Sequence, residues 1–257
     1  MKDVTFTGER LHEGDDRFAL DLARHRAAYE IAKQHAHDRR VLDVGCGSGY
    51  GTTSLVGHAR LAAGIDRVLP DRRFRSNGAS FVVGDLRSLP VVAHRFDLVV
   101  SFQVIEHLDD PGFYVDALAD LLTPDGLAIV TTPNIATSDG VNPYHVHEYT
   151  GDELGRCLGR RFESVDVQGI HPSLPVRRIL AERSRRIRRI MRLDPLRIHQ
   201  RLPSGLVEWL FAKAALLVRG SNDAPDADES AITWRDFPVE SATAECLDLL
   251  AFCRRPR

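Results

Sequence analysis

Five short apolar segments between positions 40 and 134, each closed by a glycine, an acid or a turn, leave this chain few ways to fold. They read RVLDVGCG (40–47), LAAGIDR (61–67), SFVVGDL (80–86), RFDLVVSF (95–102) and GLAIVTTPN (126–134). Segments that are apolar throughout mark strands buried on both faces. Several are separated by helix-length intervals, which means a parallel sheet covered by helices on both sides. FESVDVQGI (162–170) and AECLDLLAFCRR (244–255) read as two further strands that close the sheet. Ahead of them all, RFALDLARHRAAYEIAKQHA (17–36) carries apolar residues at helical spacing.

A chain of 257 residues can bury one good core with an appended subdomain. Its 34 Lys+Arg almost balance 36 Asp+Glu, so overall charge gives no sign of a nucleic-acid binder. Cys46, Cys157, Cys246 and Cys253 lack C-x-x-C spacing, and the N-terminus has no signal-peptide run; a reduced, cytoplasmic protein is expected. No stretch has the uninterrupted apolar length that crosses a bilayer.

The texture changes after position 171. Arg177, Arg178, Arg183, Arg185, Arg186, Arg188, Arg189, Arg192, Arg197 and Arg201 face only Glu182 and Asp194 as acids, with apolar residues at roughly helical intervals among them. GLVEWLFAKAALLV (205–218) is apolar enough to lie against a membrane or a core, and GSNDAPDADES (220–230) reads as an acidic linker. The expected organisation is an N-terminal helical cap (1–38), a core (39–171), an Arg-rich helical insert or lid (172–230) and a closing strand of the core (231–257).

VLDVGCGSGYG places Asp43, Gly45, Gly47, Gly49 and Gly51 directly after a strand. Alternate glycines let the backbone turn sharply and let a ligand approach the main chain beside a helix N-terminus. The dinucleotide pattern G-x-G-x-x-G fails, because Tyr50 stands where its third glycine belongs. Asp43 would repel a pyrophosphate but suits the ammonium of an amino acid. Asp66, ending the next strand, occupies a position from which a carboxylate takes both hydroxyls of a ribose.

The ordered series VLDVGCGSGYG, GID, GDL, FDLVVSFQVIEHL and LTPDGLAIVTTPN resembles the class I S-adenosylmethionine (SAM)-dependent methyltransferases over about 40–134. The resemblance implies a Rossmann-like α/β fold with a seven-stranded, mostly parallel sheet, and SAM as cofactor. It implies that Asp43 and the Gly45, Cys46, Gly47 and Gly49 stretch hold the methionine part, Asp66 the ribose hydroxyls, and Asp85 with the Leu86 backbone the adenine edge. Arg67, Phe102 and Gln103 would complete the cofactor pocket. FTGERLHEG and ARHRAAYEIA are similar to an N-terminal cap of a bacterial subset of these enzymes, where His25 and Tyr29, one turn apart on one helix side, would meet the substrate.

The remaining chemistry lies in SFQVIEHLDDP (101–111) and NPYHVHEYT (142–150), both following strands and so expected at the carboxyl edge, where ligands bind in open α/β sheets. Methyl transfer to an alcohol needs a group that takes its proton. An ordinary imidazole is suited to that near neutral pH, and a divalent metal does the same by acidifying a bound hydroxyl. Glu106 and His107 are the first candidates. His145 and His147 share a face if the second segment is extended, and Tyr149 and His147 are candidate substrate contacts. E-x-x-E-H segments in small-RNA 2′-O-methyltransferases and ubiquinone-synthesis O-methyltransferases are similar. By that pattern Glu106, His107 and His145 would bind Mg or Mn, although Gln103 replaces the first glutamate. Alternatively, the glutamate caps the next helix and His107 lines the pocket. Asp109 and Asp110 before Pro111 read as an N-cap and a first-turn acid.

The reading is an O-methyltransferase whose acceptor hydroxyl is on a sugar, a glycan- or lipid-linked molecule or a secondary metabolite. An RNA 3′-end 2′-O-methyltransferase and a SAM-binding protein without turnover are the alternatives. Arginines of the insert suit phosphates or an anionic membrane surface. Its few aromatics, Trp209 and Phe211, offer little to unstacked bases.

Overall fold

The computed structural model describes residues 18–87, 92–138, 142, 144–191 and 231–257. The FTGERLHEG segment, the apolar stretch 205–218 and the acidic linker lie outside the described residues. In chain order the elements are α1 (Ala19–Gln34), β1 (Arg40–Val44), α2 (Tyr50–Ser54), β2 (Leu61–Asp66), β3 (Ser80–Val83), β4 (Phe96–Phe102), α3 (Pro111–Leu121), β5 (Leu122–Pro133), α4 (Gly151–Leu158), β6 (Phe162–Ile170), α5 (Leu174–Met191), β7 (Val239–Ser241) and β8 (Asp248–Pro256).

The strands form one sheet in the order β3-β2-β1-β4-β5-β8-β6-β7. β1 to β5 pair in parallel, whereas β8 runs antiparallel to both β5 and β6. The sheet is mostly parallel and Rossmann-like, as expected. It has one strand more than the seven anticipated: Val239–Ser241 pairs antiparallel with the end of β6 at the edge. Three residues flanked by turns carry too little apolar pattern to be read as a strand from sequence.

Side chains along each strand alternate between two cores. Val41, Leu98, Val100, Leu127, Ile129, Leu250 and Phe252 face the layer of α1. Leu42, Val99, Ala128, Val130, Leu249, Ala251 and Cys253 face α3 and α4. Continuous apolar strands are therefore the consequence of covering both faces, and each fully buried aliphatic side chain contributes about 1.5–3 kcal/mol. Helix starts follow local chemistry. Asp110 is the N-cap of α3, accepting from Gly112 N with Pro111 at the first position, and Thr150 with Glu153 forms a capping box at α4. α1 packs its Leu20, Ala23, Ala27 and Ala28 face on the sheet and leads into β1 through a short turn, so the strand direction brings Asp21 to Tyr29 to the carboxyl edge.

Because β8 is antiparallel, its first residue, Asp248, stands at that same edge, registered with Pro133 and with Ile170. Among the described residues no helix is long and apolar enough to cross a membrane. The four cysteines are free.

Candidate active site

After β1 the chain turns through Gly45, Gly47 and Gly49, all with positive φ. At Gly45 a Cβ would lie 2.4 Å from Val104 Cγ2, whereas one at Gly47 would meet nothing within 4 Å. The loop therefore packs on one side and opens on the other. Gly47 N donates to Asp66 Oδ2 at 2.9 Å and Val68 N to Asp66 Oδ1 at 3.0 Å, so Asp66 fixes the loop from the end of β2. Asp85 accepts from Arg87 N in a turn beyond β3, Leu86 is half-buried beside it, and Arg67 is exposed. Cys46 is buried, and burial pushes its thiol well above the usual range.

Asp43 is 1% exposed. Its Oδ2 accepts from Tyr29 OH at 2.9 Å and Thr52 Oγ1 at 2.6 Å, while Oδ1 has no hydrogen-bond partner among the described residues. Burial raises its pKa to about 7 despite those two donors. One helical turn earlier, His25 Nδ1 meets Tyr50 OH, its ring is surrounded by Tyr29, Tyr50 and Phe102, and it donates to the Phe102 carbonyl. Burial, with Arg24 adding to it, lowers its pKa to about 4, so it is neutral at pH 7. Thr52, Tyr50 and Arg24 were not read as site residues from sequence.

The 3-10 turn Ile105–His107 follows β4. Glu106 is fully buried, and Oε2 accepts from Thr132 Oγ1 at 3.0 Å; it does not cap α3. Its backbone carbonyl accepts from Val146 N and His147 N, which clamps the 144–149 segment onto this turn. His107 Nδ1 lies 3.0 Å from the Tyr144 carbonyl. A carbonyl only accepts, so Nδ1 carries a proton; in the neutral ring the lone pair is then on Nε2, 4.0 Å from Glu106 Oε1.

The His145 ring stands 5.2 Å from that of His107. Tyr144 N donates to Asn142 Oδ1, so the Asn142 amide nitrogen donates to His145 Nε2 at 2.7 Å, and His145 Nδ1 donates to Glu148 Oε1 at 2.7 Å. Single ligand atoms of Glu106, His107 and His145 nevertheless lie within 4.8 Å of one another. The histidine pair separates: His145 faces His107, whereas His147 is exposed and packs edge-on against Tyr149 at 4.5 Å. Tyr149 itself is 3% exposed within the α3–α4 core, and burial raises its pKa to about 12.

Gln103 follows β4 with φ +57° and Nε2 3.4 Å from Thr131 Oγ1, beside buried Phe102. Asn134 at the end of β5 is buried and ties it to the β7–β8 connection through the Thr243 and Cys246 carbonyls.

A family model described as a methyltransferase domain matches residues 14–183. A probable SAM-dependent methyltransferase of Mycobacterium tuberculosis is 30% identical over 98% of this chain and 90% of its own. A ubiquinone biosynthesis O-methyltransferase of Cereibacter sphaeroides is 33% identical over 37% of this chain and 41% of its own. The structure of a SAM-dependent methyltransferase from Thermotoga maritima superposes with a TM-score of 0.58 at 13% identity, over 93% of this chain and 92% of its own, a likeness of fold. With the sheet order, the glycine turn and these matches together, the chain belongs to the class I SAM-dependent methyltransferases.

Proposed function

We propose that this methyltransferase acts on oxygen, transferring a methyl group to a hydroxyl of a sugar or of a glycan- or lipid-linked acceptor, with His107 as the base. The observation that carries the reading is the fixed tautomer of His107. Nδ1–H is held by the Tyr144 carbonyl, so the neutral ring offers its lone pair at Nε2, and buried Glu106 stands 4.0 Å away to favour the imidazolium once a proton arrives. An amine acceptor loses its proton readily and has less need of such a group; an alcohol does not. The matched segment of the ubiquinone O-methyltransferase adds support for oxygen.

Bound SAM supplies an electrophilic methyl group on a sulfonium. The residues present fit it: Asp43 Oδ1 is a buried oxygen awaiting a donor, which the methionine ammonium provides, and the open side of Gly47 admits a ligand against the main chain. In this reading Asp66 takes the ribose and Asp85 with Leu86 the adenine edge. Tyr29 and His25 close the floor beneath the methionine part. Arg177, Arg178, Arg183 and Arg185 of α5, which begins directly after β6 at the carboxyl edge, favour an acceptor carried on an anionic lipid.

A second reading is favoured by the convergence of Glu106, His107 and His145: a divalent metal that orients and acidifies the hydroxyl. Both ring nitrogens of His145 already have hydrogen-bond partners, so Asn142 or Glu148 must release it first. The test is transfer of radiolabelled methyl from SAM into separated lipid, glycan, small-molecule and RNA fractions, with and without a chelator. Label in glycan or lipid that survives chelation is the expected result; chelator-sensitive label in RNA overturns it.

A further inference from the structure

Asp43 stands one residue before the end of β1, registered with Gly64 of β2 and Val100 of β4. Two hydroxyls reach it, and both stop at the same oxygen. Tyr29 OH from α1 and Thr52 Oγ1 from α2 donate to Oδ2, whereas Oδ1 is buried with no hydrogen-bond partner among the described residues. Each donor has a glycine against it: a Cβ at Gly51 would lie 1.9 Å from the Tyr29 ring, and one at Gly64 would lie 2.8 Å from Thr52 Oγ1. Two donors on one oxygen fix the plane of the carboxylate and leave the other oxygen to a donor from outside the chain.

The charges around Asp43 narrow what that donor is. Burial is the main influence on its acidity and raises its pKa to about 7; the Thr52 and Tyr29 hydroxyls oppose this, and the like charge of Asp66 at the end of β2 adds to it. Tyr29 and Cys46 face it too, but burial pushes both above their ordinary values, so they are uncharged near neutral pH. His25, one turn before Tyr29, is lowered to about 4 and is neutral as well. None of these groups brings positive charge. An ammonium placed against Oδ1 does, and it favours the ionised acid.

We propose that Tyr29 and Thr52 are positioning residues: they hold Asp43 by Oδ2, present Oδ1 to the methionine ammonium of SAM, and make cofactor uptake release a proton. The proton leaves the Asp43 carboxyl group for solvent as the ammonium arrives, so no further reactant is consumed. This rests on the reading that the ammonium of SAM binds at Asp43, and adds to it the work of two hydroxyls.

The experiment titrates the full chain with SAM by calorimetry from pH 6 to pH 7.5, in buffers of low and high ionisation enthalpy, so that released protons are counted. Methylthioadenosine, which lacks the aminobutyrate arm and its ammonium, is the control. From pH 7.5 down to pH 6 the Kd of SAM should rise about fivefold to tenfold, with most of a proton released per SAM at pH 6; methylthioadenosine should show neither. Tyr29→Phe keeps the ring beside Gly51 and removes the donor. It should raise the Kd of SAM about threefold to tenfold at pH 7 and move the midpoint of the pH profile upward, with methylthioadenosine affinity within about twofold. Thr52→Val should act alike, and Thr52→Ser, which keeps the hydroxyl, should restore the original profile. The proposal is overturned by no proton release at pH 6, by equal release with methylthioadenosine, or by an unmoved midpoint in both Tyr29→Phe and Thr52→Val, whether or not the two ligands weaken together. Unchanged SAM affinity at pH 7.5 in Asp43→Asn overturns the ammonium reading itself.

Discussion

Tyr29 OH donates to Asp43 Oδ2 at 2.9 Å across the backbone of Gly51, where a Cβ would lie 1.9 Å from the Tyr29 ring. The glycine is required by the tyrosine rather than by the turn. Gly51→Ala should therefore destabilise the fold by about 1–3 kcal/mol through overpacking and weaken SAM binding. In a Tyr29→Ala background the same substitution should cost almost nothing more. Urea titration of the single and double variants measures this coupling, and additive losses would refute it.

Asp66 holds Gly47 N–H and Val68 N–H with its two oxygens. Asp66→Ala should weaken SAM binding by about 1–3 kcal/mol, from lost charged hydrogen bonds and a loosened loop. Calorimetric titration with SAM reads it directly, and an unchanged affinity removes Asp66 from the ribose site.

His107→Gln keeps a polar side chain facing the Tyr144 carbonyl but removes the basic nitrogen. Turnover should fall by about a hundredfold or more, with SAM affinity nearly intact. Normal turnover at saturating acceptor would end the role of His107 as base.

The pH dependence of stability should show two opposed slopes. His25 is lowered to about 4, so the unfolded chain binds more protons than the folded one between about 6.5 and 4, and this contribution is lost as pH falls through that range. Asp43 is raised to about 7, so the folded chain binds more protons between about 4 and 7, and this contribution is lost as pH rises through it. Each slope is at most about 1.4 kcal/mol per pH unit. His25→Asn should leave a protein that gains stability on acidification from pH 7 to 5, and Asp43→Asn one that loses it, by denaturant titration at both values.

Asn134→Ala removes a donor from the Thr243 carbonyl, which keeps Cys246 N, and from the Cys246 carbonyl, which keeps Thr137 Oγ1, and takes the acceptor from Ala136 N–H. A loss of about 1–3 kcal/mol in unfolding free energy is expected, with the transition midpoint as readout.

The sheet and the glycine turn were legible because both follow from residue type. Continuous apolar strands require two covered faces, and alternating glycines after a strand require an open loop. Glu106 and His107 were legible as polar residues where an apolar strand ends. Arg24, Thr132 and Asp248 were not, because their meaning depends on register. Asp248 reads as an incidental acid in LDLLAFC until the antiparallel pairing with Pro133 and Ile170 sets it at the carboxyl edge. The edge strand Val239–Ser241 escaped for a similar reason: its pairing with β6, rather than its composition, makes it a strand. The 144–149 segment was expected at the site, but the partition of His145 and His147 rested on a clamp to the Glu106 carbonyl that sequence spacing does not encode.

The antiparallel insertion of β8 between β5 and β6 also has a consequence in time. Val130 pairs with Ala251, so β5 keeps an open apolar edge until the ribosome has passed through the whole Arg-rich stretch. The parallel half of the sheet and its glycine turn can assemble earlier, whereas Asp248 reaches the carboxyl edge only by this late, high-contact-order pairing. A nascent chain stalled within the Arg-rich stretch would present an unpaired strand to its neighbours and to chaperones. The carboxyl edge is thereby left incomplete until the downstream strand has been synthesised and has zipped in between its two partners.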